Sequence, residues 1–229
     1  MVTAVTERPM HEPGEDRASY GDTEIRRWVR GSADEISANR DFLTQLDAAI
    51  GDADHGINMD RGFSAALTDL DATADLPPGE LLIRVGGTLI YRVGGAAGPL
   101  FGSCLRRAGE SLGDAERFDG EDLLKAMRAG LDGIQELGAA VEGDKTIVDA
   151  YVPAVGAFER ELRSGGDAAL AARTAADAAR DAARDTVPMQ ARKGRASYLG
   201  PRSVGHQDPG ATSTALLFAA LARSLDGVR

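Results

Sequence analysis

The run Leu46-Asp47-Ala48-Ala49-Ile50-Gly51-Asp52-Ala53-Asp54-His55-Gly56-Ile57-Asn58-Met59 places three carboxylates, Asp47, Asp52 and Asp54, within eight residues. Asp47 falls in a helix-like stretch, and Gly51 is able to break that stretch before Asp52 and Asp54. A bend there lets all three oxygens converge. Like charges held together repel, and burying them without compensation is costly. A hard divalent cation removes that cost, and an all-oxygen ligand set suits Mg2+ or Ca2+ better than a soft metal. Mg2+ takes few carboxylates and leaves positions for phosphate, so the run reads as half of a nucleotide site. It is not an EF-hand, because the spacing differs and no Glu closes the loop. The competing reading makes Asp52 or Asp54 the N-cap of a helix over 57–70. That reading uses two aspartates and leaves Asp47, one turn back, without a role.

Further segments offer phosphate contacts. Gly94-Gly95-Ala96-Ala97-Gly98-Pro99-Leu100-Phe101-Gly102 is a Gly-rich connection running into a helix, where backbone N–H groups approach an anion closely. It is neither of the common Gly-rich nucleotide fingerprints, and the alternative is a tight helix-packing turn. Asp208-Pro209-Gly210-Ala211-Thr212-Ser213 reads as an N-cap, an N1 proline and an open first turn with free N–H groups. Between them, 189–207 is a long basic loop in an acidic chain, carrying Arg192, Lys193, Arg195, Arg202 and His206. Long loops inside compact domains are usually functional. An Arg there offers phosphate a fixed fork of N–H donors, and solvation is the competing fate of each. His206 is expected to organise the loop. His55 and Asn58, three apart, share a helix face and are placed to meet phosphate or the metal's water shell, or simply to begin a polar helix. No Ser/His/Asp or Cys/His set and no GxSxG is present, which disfavours covalent catalysis.

Taken in order, the aspartate run, Gly94–Gly102, Gly143-Asp144-Lys145-Thr146, Gln190-Ala191-Arg192-Lys193-Gly194-Arg195-Ala196-Ser197-Tyr198-Leu199-Gly200 and His206-Gln207-Asp208-Pro209-Gly210-Ala211-Thr212-Ser213 resemble the nucleotide-binding L subunits of dihydroxyacetone kinases. The resemblance runs from Ile25 to the C-terminus. Each motif is weak alone, and together they are specific. The resemblance implies an all-α barrel of eight antiparallel helices, with ADP or ATP and a pair of Mg2+ ions at one rim. Carried over residue by residue, it assigns metal binding to Asp47, Asp52 and Asp54. It assigns nucleotide contact to His55, Gly56, Asn58, Met59, Ala96, Ala97, Gly138, Ile147, Arg195, Asp208, Pro209 and Gly210. The family commonly carries Ser where this chain has Ala97, so one hydroxyl contact is lost and backbone donors must suffice. The resemblance also implies a split kinase. A separate K subunit holds dihydroxyacetone, and the L subunit supplies the nucleotide. In phosphotransferase-linked versions ADP stays bound and a phosphoprotein M subunit recharges it; in others ATP is consumed. The rivals are an L-type subunit for another small ketose or polyol, a non-catalytic nucleotide module that regulates a transcription factor, and a lipid-carrying helical barrel.

The elements that must position these residues read as helices. Hydrophobic periodicity marks helices over 23–39 (continuing to 49), 55–72, 79–92, 99–112, 120–137, 145–162, 167–185 and 209–225. Gly and Pro are read as lying between these runs rather than inside them. Asp22, Pro78, Asp119 and Asp208 supply helix starts. The 167–185 run is mostly Ala, Arg and Asp, which suits close packing on one face and Asp–Arg pairs on the other. Residues 1–21 read as a disordered or loosely held leader and 22–229 as one nucleotide-binding domain, with no second domain or repeat. The 229-residue chain is long enough for a sizeable core, and its formal charge is −10. That charge argues against nucleic acid and anionic membranes as partners. Cys104 is the single cysteine, in an apolar run, which excludes an internal disulfide and fits a small buried hydrophobe. No run is apolar enough to span a bilayer or to form a signal-peptide core, so a cytoplasmic protein is expected.

Overall fold

The computed structural model describes residues 18–227. Among them are nine α-helices and one 3-10 helix, with no strand beyond an isolated bridge between Tyr20 and Phe118. The α-helices are α1 (Asp22–Ala38), α2 (Arg40–Ile50), α3 (His55–Asp71), α4 (Pro78–Arg92), α5 (Ala97–Leu112), α6 (Gly120–Gly138), α7 (Ile147–Arg163), α8 (Ala168–Asp185) and α9 (Pro209–Leu225). Eight of them close a ring, α1–α3–α4–α5–α6–α7–α8–α9 and back to α1. Sequence neighbours in the ring are joined by connections that return the chain to an adjacent helix, the antiparallel arrangement of helix bundles. The ninth, α2, stands outside the ring and packs on α3, α9 and the 3-10 helix. The interior is filled by one apolar cluster with contributions from every ring helix, including Phe63, Phe101, Phe158 and Phe218. Each such side chain, fully buried, contributes about 1.5–3 kcal/mol of transfer free energy.

The expected all-α class and eight-helix barrel hold for the ring, with two differences in the elements. The run over 23–49 is two helices, because the chain turns at Asn39, which ends α1 and begins α2. The basic loop contains the 3-10 helix Arg195–Ser203, kinked at Gly200. Helix starts follow capping chemistry. Asp119 accepts N–H bonds from Glu121 and Asp122, Asp167 from Leu170, and Asp208 from Ala211, with Pro209 at N1. At α1 the cap is Gly21 rather than Asp22, and Glu24 reaches back to its N–H. At α7 Thr146 is the cap, which moves the helix start from 145 to Ile147.

Glycines are not confined to the connections. Gly86 and Gly102 face each other across α4 and α5, and a Cβ on either would stand 2.6 Å from the other's carbonyl oxygen. Gly79 and Gly109 meet in the same way one level along. Backbone contact between the two helices offsets the helix-propensity cost of glycine there. On α8 both sequence readings hold: Ala171, Ala172, Ala175, Ala179 and Ala183 are buried, while Arg180–Asp177 and Arg184–Asp181 pairs occupy the exposed side. Cys104 is buried, its thiol donates to the Tyr151 hydroxyl, and burial pushes its pKa up to about 12. The expected leader falls mostly on residues 1–17, outside the described residues. Its end is docked: Tyr20 is buried and its ring packs against Phe118. Among the described residues no helix is long and apolar enough to cross a membrane.

Candidate metal and nucleotide site

Asp47 lies in the last turn of α2, and the chain reverses immediately after it. Gly51 ends the helix, its N–H donating to the Asp47 carbonyl. Ala53 then takes φ +63°, a left-handed conformation that costs a non-glycine residue free energy. This bend brings the carboxylates of Asp47, Asp52 and Asp54 together, with one oxygen from each within 4.8 Å of the others. Gly51 is required by the same fold, because a Cβ there would collide with Asp47 Oδ1. Asp54 occupies the N-cap position of α3 without a side-chain capping bond. The cap comes from Asp47 instead: its Oδ2 accepts the N–H groups of Asp54 (2.9 Å) and His55 (3.2 Å). Asp47 therefore has a structural role that its sequence position did not disclose.

The donor set fits a Mg2+ ion. All three ligands are hard carboxylate oxygens, graded from buried Asp47 to exposed Asp52, as for an ion held at a pocket mouth. One oxygen from each lies within 4.8 Å of the others, close enough together for one ion to gather all three.

The carboxylates form one end of a cleft of about 280 Å³. Its walls come from five separated stretches. His55 opens α3, and the Gly94–Ala97 turn opens α5. Gly138 and Ala140 close α6, Lys145 to Val148 open α7, and Asp208 to Gly210 open α9. Lys193 to Ala196 of the basic loop lie over it. The openings of α3, α5, α7 and α9 thus converge, each presenting backbone N–H groups, a natural arrangement for anions. Away from the carboxylates the wall is apolar, from Leu100, Ile134, Ala140, Ile147 and Val148. These five come from α5, α6, the connection after α6 and the start of α7, and nothing in the local sequence sets them apart from core residues.

Of the residues assigned to nucleotide contact, His55, Ala96, Ala97, Gly138, Ile147, Arg195, Asp208, Pro209 and Gly210 line the cleft. Gly56, Asn58 and Met59 stand behind it. Gly56 packs against the α2 backbone, where a Cβ would meet Arg40 and Thr44. Met59 is fully buried in the core. Asn58 is buried under Gly94, and its Oδ1 accepts from Arg61 Nη2 (2.8 Å). His55 and Asn58 therefore do not act as a pair.

His55 Nε2 lies 2.5 Å from Ser213 Oγ, and the Ser213 hydroxyl donates to the Pro209 carbonyl. That leaves Ser213 Oγ as acceptor and puts the ring proton on Nε2. Burial lowers the His55 pKa, against the opposing pull of Asp47 and Asp54, so the ring is neutral at pH 7. It ties the start of α3 to the first turn of α9 across the cleft. Burial lifts the Asp208 carboxyl to about 7, against the Ala211 N–H and the Lys145 charge, which favour ionisation.

Among the loop cations, Arg195 reaches the carboxylates: its Nε lies 3.0 Å from Asp52 Oδ2. Lys193 lines the cleft, while Arg192 and Arg202 point to solvent. His206 is exposed and does not organise the loop. That task falls to Lys145, which the sequence placed in the Gly143–Thr146 motif without a role of its own. Its Nζ donates to the carbonyls of Met189 (3.0 Å) and Ser203 (2.6 Å).

Comparison with known proteins places this arrangement. The model of the DAK2 domain matches residues 49–223. The chain is 44% identical over 204 residues to the PEP-dependent dihydroxyacetone kinase, ADP-binding subunit DhaL, of Escherichia coli K12, covering 89% of this chain and 97% of that one. It is 39% identical over 191 residues to the L-erythrulose 1-kinase of Mycolicibacterium smegmatis, covering 82% of this chain and 33% of that enzyme. Among solved structures, the dihydroxyacetone kinase of C. freundii in complex with AMP-PNP and Mg2+ superposes with a TM-score of 0.67 at 25% identity. The match covers 98% of this chain but 38% of that one.

Proposed function

This chain belongs to the DAK2 domain family, and on that premise we propose that it is the nucleotide-presenting subunit of a dihydroxyacetone kinase. The observation that carries the reading is the meeting of three carboxylates with four helix N-termini at one end of an apolar-walled cleft. The near-full-length likeness to an ADP-binding subunit supports ADP or ATP as the ligand. The likeness to a kinase solved with AMP-PNP and Mg2+ supports the metal.

Asp47, Asp52 and Asp54 would hold Mg2+, and a second ion would share the same carboxylates. The metal supplies charge neutralisation between phosphate oxygens when bound. The backbone N–H groups of Ala96, Ala97 and Gly210 bind phosphate, with Asp208 and Pro209 fixing the α9 turn that presents them. Arg195 offers its planar fork to the outermost phosphate. The apolar wall of Leu100, Ile134 and Ile147 takes the base and excludes water around it. Among the described residues none is left over at the cleft to bind and deprotonate a triose hydroxyl, which supports a sugar held on a separate K subunit. Phosphoryl transfer asks the protein for positioning and electrostatics rather than a covalent residue, which suits this inventory. The PEP dependence named for the E. coli relative supports recharging of a retained ADP by a phosphoprotein M subunit, in preference to turnover of free ATP.

A kinase for another small ketose is the second reading, favoured by one observation. The same domain makes up about a third of an L-erythrulose 1-kinase, so the choice of sugar lies outside the matched region. Either way the nucleotide function is testable directly. A ligand that binds only the folded state stabilises it by about 2.7 kcal/mol at a hundredfold excess over Kd. Mg·ADP is therefore expected to raise the Tm, and ADP with a chelator is not. An unchanged Tm with Mg·ADP, together with a flat calorimetric titration, removes the assignment.

A further inference from the structure

One buried ammonium closes the neck of the basic loop. Lys145 is 1% exposed and immediately precedes Thr146, the cap of α7. Its backbone is held at φ +62°, in the left-handed region. Nζ donates to the carbonyl of Met189 at one foot of the loop and to that of Ser203 at the other. The same neck is stitched by weaker links. The Ala191 N–H donates to Ser203 Oγ (2.9 Å), and that hydroxyl donates to the Gly200 carbonyl (2.6 Å). The Arg192 N–H donates to the Asp144 carbonyl (3.0 Å), beside Lys145 in sequence. Arg195 begins the 3-10 helix inside the loop so closed, and its side chain is two-thirds exposed. The only partner its guanidinium meets among the described residues is Asp52.

We propose that Lys145 is the positioning residue for Arg195: it holds no ligand itself, but by bridging the two feet of the loop it sets where the Arg195 guanidinium stands over the cleft. The inference rests on the reading of the cleft as a Mg-nucleotide site. Two of the three ammonium donors are already spent on backbone carbonyls, which argues against a direct phosphate contact. A carbonyl pair inside the protein is also an expensive thing to leave without its donor, so the lysine and the loop conformation stabilise each other.

The test is a double-mutant cycle on Mg·ADP affinity, read by calorimetry, with trypsin susceptibility of the loop as a second readout. Lys145→Met is expected to weaken Mg·ADP binding about tenfold, as loss of a group that orients a binding residue does. It is also expected to speed cleavage after Arg192, Lys193 and Arg195 in the ligand-free chain. In an Arg195→Ala background the same change is expected to cost little more, because a positioning residue has nothing left to position. Equal losses in both backgrounds would overturn the proposal and make Lys145 a direct or purely structural contributor. So would an unchanged cleavage rate. Lys145→Gln guards against a variant that does not fold, since its amide keeps two N–H donors without the charge. Retention of binding by Gln supports neck closure; loss in Gln that persists alongside Arg195→Ala points to direct charge contact and refutes it. If the wild-type chain itself binds no Mg·ADP, the nucleotide reading fails, while the cleavage rates still report whether Lys145 holds the loop.

Discussion

Asp52 offers one carboxylate both to the proposed metal site and to the loop. It faces both the metal cluster and Arg195, and an oxygen given to Mg2+ is no longer free for the guanidinium. Asp52→Asn removes a ligand charge and weakens the ion pair at once. Calorimetry is expected to show weaker Mg-dependent ADP binding, with helical content unchanged by circular dichroism. The stability change should be about 1 kcal/mol or less, because the pair is solvent-screened. Unaltered Mg·ADP affinity would remove Asp52 from the ligand set. Asp208 gives a second prediction at this scale. Its carboxyl is raised from 3.8 to about 7, chiefly by burial. The folded chain therefore binds a proton that the unfolded chain releases between about pH 4 and 7. The resulting stability is present in full below about pH 4 and is lost as pH rises to about 7. Asp208→Asn keeps an acceptor for the Ala211 N–H and has no such proton. The Tm of the wild type is expected to fall relative to the variant as pH rises from about 4 to about 7. Parallel Tm profiles would contradict this. The carboxylates were legible in the sequence because three aspartates in so short a span conflict unless something joins them. The capping role of Asp47 was not, because its bonds to Asp54 and His55 exist only after the chain has bent at Ala53.

At the scale of elements, glycine separates what periodicity reveals from what packing decides. Gly86 and Gly87 are neighbours on α4 with the same intrinsic propensity. A Cβ at Gly86 meets the Gly102 carbonyl at 2.6 Å, while one at Gly87 meets nothing within 4 Å. Gly86→Ala is expected to cost about 1–3 kcal/mol by forcing α4 and α5 apart. Gly87→Ala is expected to stabilise by roughly 0.5–1 kcal/mol by improving helix propensity. Urea denaturation of the two single variants checks the pair, and equal effects would mean that α4 and α5 do not touch at the backbone. The helix positions were legible because each run carries its own apolar stripe and cap. The α4–α5 contact was not, since a Gly inside a periodic run reads as a break until its partner across the interface is known. The same limit hid the apolar wall of the cleft. Leu100, Ile134 and Val148 look like core in their own helices, and only ring closure sets them around one opening. Lys145 was hidden by its backbone, because a left-handed lysine before a capping threonine leaves no mark in a helix-period reading.

At the scale of the molecule, the ring concentrates its chemistry at one end and leaves the rest to packing. The interior is occupied by side chains from every ring helix, so nothing favours a lipid cargo there. The metal cluster, the cleft and the basic loop share one rim, and large apolar side chains stand exposed on the segments that border it. Tyr91, in the last turn of α4 before the Gly-rich turn, and Tyr198, in the 3-10 helix, are each 88% exposed. Leu137 and Val141, on either side of the α6 end of the cleft, are more than half exposed. A phosphate activated at such a rim and open to water would be transferred to water, so the acceptor must arrive on something that covers it. Purified chain with Mg·ADP, dihydroxyacetone and a phosphorylated M subunit is therefore expected to show no kinase turnover, and addition of a K subunit to restore it. Tyr198→Asp is expected to raise the K-subunit concentration needed for half-maximal turnover while leaving Mg·ADP affinity intact. The tyrosine covers no part of the cleft wall, and unchanged Mg·ADP affinity in the variant places the loss at the partner surface rather than in the loop's hold on Arg195. Full turnover by the isolated chain would refute the division of labour and require a sugar site within these helices. Unchanged partner dependence in Tyr198→Asp would move the docking surface away from the loop.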